Sequence, residues 1–203
     1  MKVETFLHLV CQTSVTSCRG RGIYMDNGAS SYRRFLNGDE SGLNEIVEMY
    51  GDNLMYFING LVKNIDMAED LMEDTFMELV VHKHHFREES SFKTYLFKIG
   101  RNKALNALKR NRIYAELDTD IEDVKKLEET IITNDKSRHI KEAMAKLKDD
   151  YATVIHLLYF EDMSYEEIGK VMRKTNKQIK NLAYRARNSL KEVLEKEGFS
   201  YEE

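Results

Sequence analysis

The chain has 203 residues, of which 42% are hydrophobic and 33% are charged, and its formal net charge is -4. That length is enough to bury a core in one or two domains, and no apolar run approaches the ~20 residues that span a bilayer. The chain contains no proline, which excludes collagen-like and polyproline segments and removes the strongest helix breaker. Two cysteines cannot form a disulfide framework, so we expect a cytoplasmic protein without membrane insertion.

The small net charge conceals a strong segregation of charge along the chain. Residues 25–82 include 3 basic and 12 acidic residues, whereas residues 83–112 include 9 basic and 2 acidic ones. Residues 113–139 are acidic again, and residues 169–191 include 8 basic residues and no acidic one. A single basic stretch can be a solvated helix face, but two of them with interleaved aromatic side chains indicate contact with nucleic-acid phosphates.

Residues 1–24 differ from the rest of the chain, because they contain both cysteines and lack helical periodicity. Their apolar stretch is too short for a signal peptide, and the spacing of Cys11 and Cys18 is wrong for a zinc knuckle. The codons implied by residues 19–22 resemble a ribosome-binding site a few codons before Met25. We therefore expect residues 1–24 to be a non-native leader or a disordered segment, with Met25 as the natural start.

Helical periodicity dominates the next part of the chain. Apolar residues spaced by three and four over residues 32–62 predict two helices with a turn at residues 39–42. A third helix is predicted over residues 66–80, with Asp66 as its N-cap and acidic residues in its first turns. After a loop at residues 87–91, a fourth helix is predicted over residues 92–112. Its predicted buried stripe consists of Tyr95, Leu96, Ile99, Ala104, Leu105 and Leu108.

A domain boundary is predicted between two strongly periodic parts of the chain. Residues 113–139 are acidic and weakly periodic, which favours a linker. We predict a first domain over residues 25–112, a second over residues 140–195 and an acidic tail over residues 196–203. No segment predicts a strand. The expected fold is all-α, with two small helical domains joined by a flexible acidic linker.

Two capping boxes predict a helix-turn-helix near the C terminus. Ser164 and Glu167 form the first box, and Thr175 and Gln178 form the second one, eleven residues later. The spacing leaves a short helix over residues 165–172, a two-residue turn and a second helix. The predicted buried face of that second helix consists of Ile179, Leu182, Ala183, Ala186 and Leu190.

The opposite face of the second helix is basic and rich in amides. It carries Lys177, Lys180, Asn181, Tyr184, Arg185 and Asn188. Lysine, arginine and asparagine side chains bond phosphates and read base edges in the major groove of DNA. An ordinary helical hairpin with a cationic face is the alternative interpretation, but the basic block on this helix favours DNA binding.

Aromatic residues also lie among cations in the predicted fourth helix and just before it. Phe86, Phe92, Tyr95 and Phe97 are close in sequence to Lys93 and Lys98. Rings that stack on unpaired bases, with cations that hold the backbone, are typical of proteins that bind single strands. The polar loop at residues 87–91 could hold an extruded base. The alternative is that some of these rings belong to the core.

Several segments, in this order, resemble the sigma-70 family of bacterial RNA polymerase sigma factors. Residues 68–76 (AEDLMEDTF) and residues 91–102 (SFKTYLFKIGRN) resemble region 2 of the family. Residues 147–169 and the Tyr-Arg-Ala-Arg at residues 184–187 resemble region 4. Because only these two regions are recognised, the chain resembles the compact extracytoplasmic-function (ECF) group.

The chain departs from the family pattern at four places. Tyr95 stands where tryptophan is usual, and Lys148 stands where proline is usual. Arg173 occupies a turn position that is often glycine, and Leu182-Ala183 replaces a pair whose first member is often arginine.

The resemblance implies a factor that binds core RNA polymerase and directs promoter recognition and DNA melting, with no catalytic residue, metal site or cofactor. Its region 2 would bind the β′ clamp helices of polymerase, and its region 4 would also contact the β flap. The linker would pass toward the RNA exit path, and an anti-sigma factor commonly regulates members of this group.

The residues that would face polymerase are Asp70, Glu73, Asp74 and Glu78. The residues that would bind the -10 element are Phe92, Tyr95, Lys98, Arg101, Asn102 and Lys103. The residues that would contact the -35 element are Lys177, Gln178, Lys180, Asn181, Tyr184 and Arg185.

Two other functions compete with this interpretation. A stand-alone helix-turn-helix regulator would explain the C-terminal domain, but not the acidic helix or the aromatic basic helix. A metal-dependent enzyme could use Glu78, His82 and His85, which would share one helix face. Solvated histidines at a helix end are the simpler interpretation, since the sequence has no second ligand cluster and no nucleophile motif.

Overall fold

The structure, a computed structural model, describes residues 28–117, 140 and 142–197. These residues form helices joined by turns, with no strand among them, which confirms the all-α prediction. They divide into two compact units, one on each side of the segment between residues 117 and 140. The predicted leader and most of the predicted linker and tail lie outside the described residues. Among the described helices, none combines the length and apolar character that crossing a membrane requires.

Four helices form the first unit: α1 (Ala29–Leu36), α2 (Ser41–Val62), α3 (Ile65–Val81) and α4 (Phe92–Leu117). Helix α2 packs against each of the other three, and α3 also packs against α4. The predicted break between α1 and α2 is confirmed, although α2 already begins at Ser41. Helix α4 begins at the predicted residue and continues to Leu117, beyond its predicted end at residue 112.

The start of α3 corrects one prediction. Asn64, and not Asp66, is the N-cap, and its Oδ1 atom accepts a hydrogen bond from the Met67 N–H at 2.8 Å. Asp66 lies in the first turn instead, where its carboxylate interacts favourably with the helix dipole. Asparagine and aspartate are about equally good N-caps, so residue type alone does not distinguish the two positions.

An aromatic cluster fills the centre of the first unit. The Phe92 ring is fully buried and lies 4.9 Å from the Tyr32 ring and 5.4 Å from the Phe86 ring, measured between centroids. The Tyr32 hydroxyl donates a hydrogen bond of 2.7 Å to the carbonyl oxygen of Lys83, which ties α1 to the turn after α3. Burial of this hydroxyl raises its pKa to about 12.

The buried face of α4 differs from the predicted stripe. Leu96 and Ala104 are buried as predicted, whereas Tyr95 is only partly buried. Ile99, Leu105 and Leu108 are also only partly buried. The fully buried positions include Phe97 and Gly100, because α4 packs against both α2 and α3. Two partner helices rotate and widen the buried face beyond a single apolar stripe.

Helices α1 and α2 approach each other closely at Gly42. A Cβ atom at this position would lie 2.2 Å from the carbonyl oxygen of Ser31 and 2.9 Å from the backbone nitrogen of Phe35. Both neighbours are backbone atoms, so a side chain there would force the two helices apart. Gly60, in the same helix, has no atom within 4 Å of such a Cβ position.

The second unit begins with Ile140, which is buried, and a helical turn at residues 142–145. It continues with α5 (Asp149–Ile155), a π-helical turn (His156–Phe160), α6 (Tyr165–Met172) and α7 (Asn176–Lys196). Helix α7 packs against α5 and α6. Its predicted buried face is confirmed except at Leu182, which is only partly buried.

Both predicted capping boxes are present, so the bounds of α6 and the start of α7 agree with the sequence analysis. Helix α6 is followed by its C-cap, Arg173, which adopts the left-handed conformation with φ 54°. The following turn lies against Gly169, where a Cβ atom would be 2.7 Å from the Lys174 carbonyl oxygen. The Lys174 N–H also donates to the Gly169 carbonyl at 3.0 Å. Gly169 therefore permits the tight turn between the two helices.

We predict opposite effects for two alanine substitutions within α2. Gly42→Ala should lower the free energy of unfolding by about 1–3 kcal/mol, because its Cβ meets the backbone of α1. Gly60→Ala should raise it by about 0.5–1 kcal/mol, because alanine restricts the unfolded chain and meets nothing in the folded one. Urea unfolding midpoints of both variants test this; equal midpoints would contradict the close approach at Gly42.

Candidate nucleic-acid interface

The residues predicted to contact the -35 element lie together on the exposed face of α7. The side chains of Lys177, Gln178, Lys180, Asn181, Tyr184 and Arg185 are all exposed. The Tyr184 ring is 64% exposed although it is large and largely apolar. The opposite face, which includes Ile179, Ala183 and Leu190, is fully buried. Burial of one face therefore presents the basic and amide side chains together on the other.

Ion pairing reduces the number of available cations in the basic block over residues 169–191. Lys174 lies 3.3 Å from Asp150, Lys170 lies 3.5 Å from Glu166, and Lys191 lies 3.6 Å from Glu195. The cations that make no ion pair with another described residue are Arg173, Lys177, Lys180 and Arg185. They cluster at the turn and in the first half of α7, where a helix-turn-helix meets the groove.

Gln178 has a structural role in addition to its predicted contact with DNA. Its Oε1 atom accepts a hydrogen bond of 2.8 Å from the Thr175 N–H, and its own N–H donates to the Thr175 Oγ1 at 3.3 Å. The capping box thus engages the side-chain carbonyl and leaves the amide N–H groups as donors. In this rotamer the side-chain N–H groups of Gln178 can donate to a phosphate or a base acceptor.

Arg187 belongs to the basic block but connects the two helices of the motif. Its Nη2 atom donates a hydrogen bond of 2.7 Å to the Tyr165 hydroxyl at the start of α6. This contact helps to hold α7 against α6 and was not identified from the sequence. The pairing of a tyrosine after the first cap with an arginine on the second helix is the signal that could have indicated it.

The predicted -10 residues of α4 fall into two groups, and the structure corrects the first. Phe92 is fully buried in the aromatic cluster, so its ring has no face available for a base. Arg101 is also buried. Phe92 therefore belongs to the packing of the unit, which is the alternative that the aromatic pattern left open.

The second group remains accessible. We define the α4 surface as the partly exposed side chains of Tyr95, Lys98, Asn102 and Lys103. The Tyr95 ring lies 5.2 Å from the partly exposed Phe86 ring, a residue outside the predicted site. Burial and the negative charge of Glu78 raise the pKa of Tyr95 above its ordinary value, so its hydroxyl stays neutral near pH 7. The combination of ring, amide and ammonium groups suits a single strand of nucleic acid.

The loop before α4 is anchored at two points. Arg33 Nε lies 2.8 Å from a carboxylate oxygen of Glu88, which connects α1 to the loop. At its end, the Ser91 Oγ atom accepts a hydrogen bond of 3.2 Å from the Thr94 N–H in the first turn of α4. Residues 87–91 form a loop, as predicted, and the contacts of Glu88 and Ser91 hold it to α1 and to the first turn of α4.

Helix α3 presents an acidic face that also has apolar side chains. Asp70, Glu73 and Asp74 are exposed, as the predicted contact with polymerase requires. Met77 and Val81 lie one and two turns beyond Glu73 and are 55% and 65% exposed. Exposed apolar side chains beside charges are typical of protein interfaces. Neither residue was predicted from the sequence, although they lie four and eight residues after Glu73 and therefore on its face.

The fourth acidic residue of the predicted set has a different environment. Glu78 lies between α3 and α4, with Oε2 at 3.6 Å from Lys103 Nζ and Oε1 at 3.6 Å from His82 Nε2. The structure thus brings a residue predicted to face polymerase into contact with one predicted to bind DNA.

The histidines after α3 give no argument for the enzyme alternative. The His82 and His85 rings stack on each other, with centroids 4.8 Å apart and planes 3° apart. In the part of the chain that the structure describes, no three histidine, cysteine, aspartate or glutamate side chains form a group that could hold a metal ion.

Two family models match the chain in order. Sigma-70 region 2 matches residues 46–113, and Sigma-70 region 4 matches residues 137–190. The first match contains most of α2 with α3 and nearly all of α4, and the second contains the helix-turn-helix. Together the two matches cover more than half of the chain.

Two sigma factors of Bacillus subtilis are similar to this chain over most of its length. The ECF RNA polymerase sigma factor SigM of Bacillus subtilis is 27% identical over 154 residues, which are 73% of this chain and 93% of the relative. The ECF RNA polymerase sigma factor SigW of Bacillus subtilis is 25% identical over 175 residues, which are 80% of this chain and 94% of the relative.

Solved structures agree with these matches. The sigma factor RpoE of Bartonella quintana, solved with the anti-sigma factor NepR, matches with a TM-score of 0.65 and 27% identity over 75% of this chain and 96% of that one. CnrH, solved with the cytosolic domain of CnrY, is 22% identical with a TM-score of 0.63 over 84% of this chain and 98% of that one, and supports the fold. The chain therefore belongs to the sigma-70 family of RNA polymerase sigma factors, within its ECF group.

Proposed function

We propose that the protein is a bacterial transcription initiation factor that binds core RNA polymerase and directs it to promoters with -35 and -10 elements. The observation that carries this proposal is the order of two matched regions, each with an accessible basic surface on a helix. The first unit would correspond to region 2 over residues 25–112, and the second to region 4 over residues 140–195. Its place of action would be the cytoplasm, and an anti-sigma factor would be a natural regulator.

The α7 face supports the proposed -35 contact. Its unpaired cations would bind phosphates, while Asn181, Gln178 and Tyr184 would lie nearer the base edges. Phosphate contacts position a protein on the duplex, and base contacts select the sequence. We therefore assign general affinity to Lys177, Lys180 and Arg185, and promoter preference to the uncharged side chains.

The first unit supports the other two proposed contacts. The α4 surface would hold the non-template strand of the -10 element once the duplex opens, with Tyr95 as the ring available for stacking. The acidic face of α3 would bind basic groups on the β′ clamp helices, and Met77 and Val81 would add apolar contact. A stand-alone regulator would use the second unit alone and would not account for these surfaces.

In vitro transcription with core polymerase tests the proposed function directly. Genomic fragments incubated with core enzyme and the full-length protein should yield transcripts that core enzyme alone does not initiate. The protein without core enzyme should bind the same fragments poorly. Tight duplex binding without core enzyme, and no new transcripts with it, would instead identify a stand-alone regulator.

The α7 face generates a prediction about salt dependence. Lys180→Ala with Arg185→Ala should weaken promoter binding by the assembled holoenzyme, because up to two phosphate contacts are lost. The slope of log K against log salt concentration should become shallower by about 0.9 for each lost contact. Lys191→Ala with Lys196→Ala removes the same charge at the far end of α7 and should leave the slope nearly unchanged. Equal slopes for the two double variants would mean that Lys180 and Arg185 face away from DNA.

The acidic face of α3 generates a prediction about polymerase binding. Asp70→Ala with Glu73→Ala should weaken binding to core polymerase by about ten-fold, since two exposed ion pairs are lost. Glu48→Ala with Asp52→Ala makes the same change of charge on the exposed side of α2 and serves as the matched control. Titration of labelled protein with core enzyme measures both affinities. Core binding that is unaffected in the Asp70 and Glu73 variant would contradict the docking assignment.

A further inference from the structure

The contact between Glu78 and Lys103 joins two surfaces for which the proposed function has separate partners. Glu78 extends from α3 toward α4, and its carboxylate contacts the Lys103 ammonium at 3.6 Å and the His82 ring nitrogen at 3.6 Å. Among the described residues, no carboxylate other than that of Glu78 lies within ion-pair distance of Lys103. The side chain of Lys103 is only 26% exposed in this arrangement.

The negative charge of Glu78 also acts beyond Lys103. It contributes to the raised pKa of Tyr95, which lies on the same side of α4 as Lys103, two turns earlier. One carboxylate therefore faces both a cation and a ring of the α4 surface. A phosphate that approaches this part of α4 therefore meets an ion pair with no net charge instead of a free ammonium group.

We propose that Glu78 is an electrostatic brake on the α4 surface: in the free protein it holds Lys103 away from DNA, and binding of a polymerase cation to Glu78 releases it. This inference rests on the proposed function of α3 and α4. The lysine side chain is long and flexible, so Lys103 can move from a carboxylate to a phosphate without any change of the backbone.

The brake links the two binding events thermodynamically. A cation from the partner competes with Lys103 for the same carboxylate, so polymerase binding strengthens the contact of Lys103 with a phosphate. By reciprocity, a strand bound at Lys103 strengthens the contact of Glu78 with polymerase. The expected outcome is a factor that holds single-stranded promoter DNA weakly when alone and more tightly when assembled.

Glu78→Gln in the full-length protein tests the brake, because glutamine has nearly the same shape and no charge. The probe is a fluorescently labelled, A- and T-rich single-stranded oligodeoxynucleotide, with affinity measured by anisotropy at several salt concentrations. Loss of the brake should raise affinity about three-fold, the usual scale of an exposed ion pair. The slope of log K against log salt concentration should become steeper by about 0.7, which is the effect of one added phosphate contact on a single strand. Glu69→Gln, an exposed residue of the same helix, makes the same charge change and should have little effect.

A second variant isolates the role of Lys103. In a Lys103→Gln background the substitution of Glu78 by glutamine should give no further gain in affinity, because the released cation is absent. With saturating core polymerase, the wild type and the Glu78→Gln variant should bind the oligonucleotide alike. Three results would overturn the proposal. The first is that Glu78→Gln does not raise the affinity of the free protein for the oligonucleotide, and the second is that it raises this affinity even without Lys103. The third is that wild type and variant still differ in affinity when polymerase is bound. Normal transcription by the wild type alongside any of these results would overturn the brake and leave the proposed function intact.

Discussion

Burial of an apolar face on each helix is the constraint on which the functional surfaces depend. In α7 the stripe that includes Ile179, Ala183 and Leu190 fixes the rotation of the helix, and this rotation directs its cations outward. In α4 the same constraint removes Phe92 from the surface and leaves Tyr95 at its edge. Hydrophobic packing therefore determines which of many similar polar residues can reach a partner, although it contributes no specificity of its own.

The sequence predicted local features well, apart from the N-cap of α3, and tertiary features less well. Both capping boxes and the bounds of α6 depend on hydrogen bonds between residues three apart, which a sequence displays directly. The rotation of α4 depends on two partner helices, so its aromatic pattern is compatible with more than one buried face. The contact between Glu78 and Lys103 joins residues far apart in the chain, and no periodicity predicts it. Counting charges likewise overestimated the basic block, because several of its cations are paired.

At two positions where the chain departs from the family pattern, the backbone has the conformation that the usual residue would favour. Lys148 stands where proline is usual, and its φ of -62° lies within the range that a proline ring imposes. Arg173 stands where glycine is often found, and it adopts the left-handed conformation at a cost of about 1 kcal/mol. In both places the turn has the expected shape, and the lysine or arginine adds a positive charge near the DNA-binding motif. The fold accommodates these substitutions because neither side chain is fully buried.

The dual use of Gln178 has a consequence for how promoter preference can diverge. A substitution by any residue other than glutamate would remove the side-chain acceptor of the capping box along with the proposed groove contact, so a change of preference there would carry a cost in folding stability. Asn181 and Tyr184 are exposed and take no part in the cap of α7, so substitutions there should change the free energy of unfolding little. Selection for a new set of target genes would therefore act more easily on these two positions, while Gln178 would change slowly.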